Sequence, residues 1–342
     1  MRTTGGGTAP KNTLAKSLLR QSHGQVDFGL RRFRLGTGQA RQRLEDSARA
    51  FLEGVNAVVE NPGVEATVDS IERFEPQWRG FAYEGAGMGC ALLDLVTLSR
   101  GRRSAALLEG VGNSYPHLVH TGMGWAHARL RLRPWWGLPV GDPLLRWLGW
   151  DGFGFHQGFF RSDAVIGACR LERGLSAGHR AVRDQGLGRA LWFHECADPD
   201  GVARRVAHFP VHRRADLWSG VGLAATYAGG AGSAELERLA GSAGRYAADL
   251  AQGSVFACAA RWACGIGVEH TEQAATALTG VSAAEAAGWA ELALAALGDE
   301  PHSVQHYERW RAEIRALWSR HHRAKRSESR GAPRSDEEKA LR

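Results

Sequence analysis

The sequence predicts an all-α protein made of two diverged helical pseudo-repeats packed through Gly/Ala-rich helices. Three observations carry this expectation. Apolar residues recur at three- and four-residue steps, period-two alternation of β-branched residues is scarce, and one set of residues returns at matching intervals in both halves of the chain.

The elements follow in order. Leu44, Ala48, Leu52, Val55 and Val59 line one face of a helix over 39–60, and Asn61-Pro62-Gly63 ends it because proline cannot continue the ladder. Val64, Val68 and Ile71 begin a second amphipathic helix. Asp142-Pro143 reads as an N-cap with proline at the first helical position, and Gly149 reads as the stop of that helix. Asp198-Pro199-Asp200 fits another N-cap better than a magnesium clamp. Ser282, with Glu285 three residues on, forms a capping box that opens an alanine-rich helix running to Gly298. A last amphipathic helix is expected over 302–319.

The internal match gives the larger plan. Phe74, Arg79 and Gly85 have the spacing of Phe209, Arg214 and Gly220, and Tyr115, Gly122, Trp125 and Ala126 have that of Tyr246, Gly253, Phe256 and Ala257. A duplicated unit over roughly 36–165 and 184–300 accounts for both. The expected organisation is a flexible segment at 1–30, helical halves at 31–183 and 184–320 forming one globular body, and a disordered basic tail at 321–342. Glycine inside a helix costs about 1 kcal/mol against alanine. The shared glycines Gly85, Gly87, Gly220 and Gly222 are therefore expected where helix backbones press together.

Composition removes several function classes. The net charge is +7, but only four residues are lysine and many of the charges sit in the tails, so nucleic-acid binding is not expected. Five cysteines without a C-x-x-C spacing suggest reduced thiols, and with no apolar signal region the expected location is cytoplasmic. The most apolar run, 254–268, is interrupted by Arg261 and is too short for a membrane span. Gly220-Val-Gly222-Leu-Ala-Ala225 imitates a dinucleotide fingerprint but lacks a convincing strand before it. His194, Cys196, His208 and His212 do not form a recognised ligand spacing, and Pro210 interrupts the last pair, so neither a metal nor a cofactor is expected.

Polar residues found in only one half are the freest to serve chemistry. His117 and His120 stand where the second half has Ala248 and Ala251, Glu84 aligns with Ser219, and Asp216 aligns with Phe81. His156 lies in an aromatic stretch, Trp150 to Phe160, where burial can move its pKa. His120, His156 and Asp216 are thus the catalytic candidates. Arg189, Trp192, Arg214, Trp218, Trp125, Phe155 and Tyr115 are the substrate-binding candidates, offering charge or flat apolar surface.

The segments Trp150–Phe160, Gly186–Phe193, Arg214–Ala224 and Tyr115–Ala126 together resemble the UnbL-type family that accompanies enediyne polyketide synthases in actinobacterial gene clusters. The similarity spans about Phe33 to Trp310. It implies a role in maturing a linear polyene into an enediyne core, alongside cluster-encoded membrane or redox partners, and carries no catalytic residues over. The first expectation is therefore an enzyme acting on a long apolar polyene or polyketide, by cyclisation, rearrangement or other acid/base chemistry. The alternatives are a non-catalytic polyene carrier or scaffold, and a terpenoid or polyene cyclase without the usual Asp-rich motifs. The oligomeric state is left open.

Overall fold

A computed structural model describes residues 19–36, 38–61, 63–298 and 300–331. Among them every regular element is helical, and no strand occurs. The chain starts with a 3-10 turn, His23–Val26, and a single turn α1, Phe28–Arg31. The first half continues with α2 (Gly38–Glu60), α3 (Val64–Ile71), α4 (Pro76–Val96), α5 (Arg102–Glu109), α6 (Pro116–Arg129) and α7 (Leu148–Phe160). Then come α8 (Ala177–His194), α9 (Pro199–His208), α10 (Val211–Ala228), α11 (Ser233–Ala243), α12 (Ala247–Ala263), α13 (Glu269–Thr279), α14 (Ala283–Ala295) and α15 (Val304–Gly331).

Seven of these helices, α2, α4, α6, α7, α8, α10 and α12, pack side by side in chain order. Glycine permits this at every step. The five helices from α4 to α10 in this row each carry a Gly-x-Gly: Gly85/Gly87, Gly122/Gly124, Gly152/Gly154, Gly186/Gly188 and Gly220/Gly222. The first glycine of each pair lies against the preceding helix and the second against the following one. Gly54 in α2 and Gly253 in α12 complete the two ends. A methyl group at any of these positions would overlap a backbone carbonyl of the neighbour, as at Gly220 against Gln185. Helices that meet backbone to backbone need no side chain in the seam, which is how a small residue contributes to packing here.

The contact thus repeats once per helix, a shorter period than the expected duplicated unit. Local correspondence between the halves is nevertheless visible at the paired arginines. Arg79 donates from Nε to Phe74 O at 3.0 Å and from Nη2 to Glu72 O at 2.8 Å. Arg214 donates to Phe209 O at 2.8 Å and to Ala207 O at 2.7 Å. Each closes off the C-terminal carbonyls of the preceding short helix, α3 or α9, which have no intrahelical partner.

Several boundaries differ from expectation. Asp142 Oδ1 accepts from the amides of Leu144 and Leu145, as a cap should, but only a 3-10 turn, Leu145–Trp147, follows before α7. Gly149 does not stop a helix; it lies inside α7, where its carbonyl faces Gly124. The alanine-rich helix opens at its Ser282 cap as expected and ends at Ala295. Residues 19–30, expected to be flexible, are held by Gln21 pairing with Asn56 and by buried Val26 and Phe28. The final helix runs to Gly331, since no proline or glycine lies between His321 and that residue. The rest of the expected flexible segment, 1–18, and of the basic tail, 332–342, lies outside the described residues.

Candidate functional site

The helix ladder carries a second pattern. Immediately before its first ladder glycine, each of the six ladder helices α4, α6, α7, α8, α10 and α12 places a polar residue: Glu84, Thr121, Asp151, Gln185, Ser219 and Gln252. All six are buried. They lie beside the tight crossings, so a side chain from one helix reaches its neighbour directly. Five of the six join in a polar seam through the core, while Thr121 Oγ1 donates to His117 O within its own helix.

At the centre stands Arg189, one residue after Gly188 in α8. Its Nη1 donates to Asp151 Oδ1 at 2.6 Å and its Nη2 to Glu84 Oε2 at 3.2 Å. Trp125 Nε1 donates to Glu84 Oε1 at 3.1 Å, and the guanidinium lies 4.4 Å from the centre of the Phe155 ring. From Asp151 the seam continues through Gln185 Nε2, 2.8 Å from Asp151 Oδ2 and 3.2 Å from the Tyr307 hydroxyl. Ser219 Oγ lies 2.8 Å from Gln252 Oε1, which also accepts from Arg311 Nε at 3.1 Å. Arg311 then pairs with Glu308 and Asp216.

Electrostatics at the centre follow from burial. Desolvation pushes the Glu84 carboxyl up from its ordinary range and Asp151 adds to that push, while Arg189 opposes it. Burial alone would lower the Arg189 pKa, but the two carboxylates raise it above the ordinary arginine value.

Two small chambers flank Arg189. One, of ≈ 30 Å³, is apolar apart from Glu84 and Ser47 and is walled by Trp125, Phe155, Phe159, Phe160 and Phe193. The other, of ≈ 40 Å³, is lined by Asp151, Arg189, Tyr227, Tyr307, Phe256, Trp310 and His117. Neither holds more than a few waters. His117 and Trp310 also line an open groove of ≈ 850 Å³ between the start of α6, the 142–145 turn, α12, α14 and the start of α15. Its walls are mainly Leu144, Leu145, Ala259, Trp262, Ala290 and Leu294. The groove and the inner chamber therefore meet at His117 and Trp310.

Two buried atoms of the chamber's lining, His117 Nδ1 and the Tyr227 hydroxyl, have no hydrogen-bond partner among the described residues. Burial holds the His117 imidazole down at about 4, with His120 adding to the effect, so it is neutral at pH 7. His117 is therefore unprotonated and can act as a base, a weaker one than free imidazole, with Asp142 favouring its protonated form.

The structure brings together Trp125, Phe155 and Arg189 from the sequence-derived candidates, all around Glu84. Of the others, only His156 adjoins this group, through Trp125. His120 accepts from Asp142 N at 3.0 Å through Nε2 and contacts Pro116 O at 2.6 Å through Nδ1, so both ring nitrogens are engaged in holding the turn after α6. His156 is buried among aromatic rings, 5.6 Å from Trp125 and 4.9 Å from Phe160, and burial beside Arg129 and Arg161 takes it to about 3. Asp216 serves the far end of the seam as a partner of Arg311 at 3.0 Å; burial raises its pKa and Arg311 opposes the rise. Arg214 clamps α9, Trp192 donates to Gly229 O at 2.8 Å, Trp218 is buried in the core, and Tyr115 stacks on Tyr83 at 4.2 Å.

Asp151, Gln185, Gln252 and Arg311 are the functional candidates that the sequence reading passed over; His117 was singled out there beside His120 but not given a catalytic role. The signal for three of them was present: a polar residue directly before a ladder glycine. Among the described residues no three His, Cys, Asp or Glu side chains converge as metal ligands. The dinucleotide-like Gly220 and Gly222 lie within α10, pressed against α8 and α12.

A family model described as a protein of unknown function, DUF1702, matches residues 11–318. The chain belongs to the DUF1702 family. UnbL-type enediyne-biosynthesis proteins, whose biochemical function is unknown, are associated with this family. No curated protein and no solved structure matches the DUF1702 chain significantly. No described helix of this DUF1702 protein is long and apolar enough to cross a membrane.

Proposed function

We propose that this DUF1702 chain is an enzyme of specialised metabolism that acts on a long apolar polyene or polyketide intermediate in enediyne-type biosynthesis. One observation carries the reading: an apolar groove of ≈ 850 Å³ meets, at His117 and Trp310, a chamber faced by Asp151 and Arg189. The extended chain lies along the groove with one of its double bonds beside His117, where the groove meets that chamber. His117, neutral at pH 7, takes a proton from the conjugated chain and returns it at another carbon. Reactant and product of such a step are isomers, so it balances without an oxidant. Asp151, in the same chamber, favours the positive charge that forms on the imidazole, and Arg189 beside it favours the negative charge left on the chain. These roles replace those first expected of His120 and His156, whose imidazoles do not line the groove or either chamber.

The matched clamps of Arg79 and Arg214 support descent of the two halves, 31–183 and 184–320, from one duplicated unit. A cytoplasmic location, with a membrane or redox partner from the same gene cluster, belongs to the same proposal.

A second reading, a non-catalytic carrier or scaffold, is favoured by the way Arg189 engages both carboxylates, leaving a rigid wall in place of a free acid. The test is incubation of purified protein with the linear polyene released by an enediyne-type polyketide synthase, followed by chromatography and mass spectrometry. Conversion that is lost in His117→Ala while polyene binding persists supports the enzyme. Polyene that is bound but recovered unchanged supports the carrier.

A further inference from the structure

The groove has a charge character that its apolar walls conceal. Among the described residues its ionisable lining is Asp142, Glu291 and Glu300, together with His117 and His302, with neither a lysine nor an arginine. All three carboxylates are exposed at the rim. This is unusual placement in a chain of net charge +7, where the surface as a whole is basic. Further in, the inner chamber's cation, Arg189, is already committed to Glu84 and Asp151. An anionic headgroup entering from either direction meets negative charge first and finds no cation free to pair with it. Carboxylates lining a low-dielectric cleft focus their field into it, so the repulsion exceeds that on an open surface.

We propose that the ligand of this groove is an uncharged conjugated chain, a hydrocarbon, alcohol, ester or ketone, and that a free polyenoic acid is excluded by the Asp142–Glu291–Glu300 rim. The inference rests on the reading of the groove as a polyene site and narrows its substrate class. It also separates two sources of similar carbon chains. Ordinary unsaturated fatty acids carry an ionised carboxylate at neutral pH and are rejected, whereas a chain that has lost or masked its carboxyl group enters.

The experiment compares cis-parinaric acid with its methyl ester, two conjugated tetraenes that differ in one charge. Binding to the purified full-length protein is followed at pH 8 by energy transfer from tryptophan, with Trp262 and Trp310 in the groove wall. The ester is expected to bind about tenfold more tightly than the acid, a gap that narrows in high salt. Because an ester is intrinsically more apolar, the decisive quantity is the change in the acid-to-ester ratio in a double variant, Glu291→Lys with Glu300→Lys. Both positions are exposed, so the fold is retained. The ratio should shift towards the acid by about tenfold. Equal ratios in wild type and variant, or acid binding as tight as ester in the wild type, overturn the inference and leave the polyene site standing. Failure of both tetraenes to bind overturns the polyene site itself, and the inference with it.

Discussion

Arg189 Nη1 stands 2.6 Å from Asp151 Oδ1 across the α7–α8 crossing, and the same guanidinium reaches Glu84 on α4. One guanidinium thus pairs with two buried carboxylates, from α4 and α7, and offsets one of their two negative charges. Removing it strands both acids in a low-dielectric core. Arg189→Met should cost about 3–5 kcal/mol in urea denaturation, the range found when one partner of a buried ion pair is deleted. Adding Glu84→Gln and Asp151→Asn to Arg189→Met should recover most of the loss, since the remaining amides carry no charge. If Arg189→Met alone is as stable as wild type, the centre of the seam is not holding the helices together.

The glycine ladder makes a prediction of opposite signs for one substitution type. At Gly220 an added methyl meets the carbonyl of Gln185 and the amide of Arg189, both backbone atoms that cannot step aside. Gly220→Ala should therefore lower stability by more than about 3 kcal/mol or prevent folding, because whole helices must separate. Gly241 and Gly288 also lie inside helices, α11 and α14, but nothing stands within 4 Å of an added methyl there. Alanine at those two positions should raise stability by about 0.4–1 kcal/mol each. Thermal unfolding of the three variants decides it, and equal effects at Gly220 and Gly241 would remove the packing argument.

Local signals in the sequence were readable where local physics decides the outcome. The face of Leu44, Leu52, Val55 and Val59 specifies α2, and Ser282 caps α14 through Glu285 N at 3.2 Å. Gly149 misled for a physical reason: glycine marks both helix ends and helix contacts, and only the position of Gly124 on the next helix distinguishes them. The site was harder to see because its pairs are distant in the chain. Glu84 and Arg189 are 105 residues apart, and no periodicity links them. His120 had suggested catalysis by being absent from the other half, yet that absence reflects a turn which only the first half must fasten, at Asp142.

Acid should weaken the fold through its buried histidines. His156 has its pKa lowered to about 3 in the folded protein by burial and by Arg129 and Arg161, against an ordinary value of 6.5. Below pH 6.5 the unfolded chain takes up a proton that the folded chain refuses until about pH 3, so the stability His156 provides is complete above 6.5 and drains away as pH falls. The slope is about 1.4 kcal/mol per pH unit. Glu84, whose folded pKa is raised, works in the reverse direction and gains stability as pH falls through its folded value. His156→Leu isolates the first effect: relative to wild type it should gain about 2 kcal/mol between pH 7.5 and pH 5. Parallel stability curves for the two proteins would show that His156 is protonated without cost.

His117 and His120 are three residues apart on the first turn of α6, yet their surroundings assign them different work. His120 is buried with both nitrogens engaged, one by Asp142 N and one by Pro116 O. His120→Ala leaves the Asp142 amide without its acceptor and opens space behind the turn, for a loss of about 1–3 kcal/mol. Because Asp142, Leu144 and Leu145 line the groove, some weakening of polyene binding should accompany it, in proportion to the stability lost. His117 has an unpartnered Nδ1 and borders both groove and inner chamber. His117→Ala should change stability by less than about 1 kcal/mol, since it breaks no hydrogen bond of the ring and the site can admit water. Its effect should appear in chemistry: conversion of the polyene falls at least about a hundredfold, the usual contribution of a positioned acid or base, while tetraene affinity changes little. His117→Gln, which keeps a polar group but cannot carry the proton, should behave like alanine in turnover and like wild type in binding. Should His120→Ala instead abolish turnover in a fully folded protein while His117→Ala leaves it intact, the proton carrier would be the residue holding the turn.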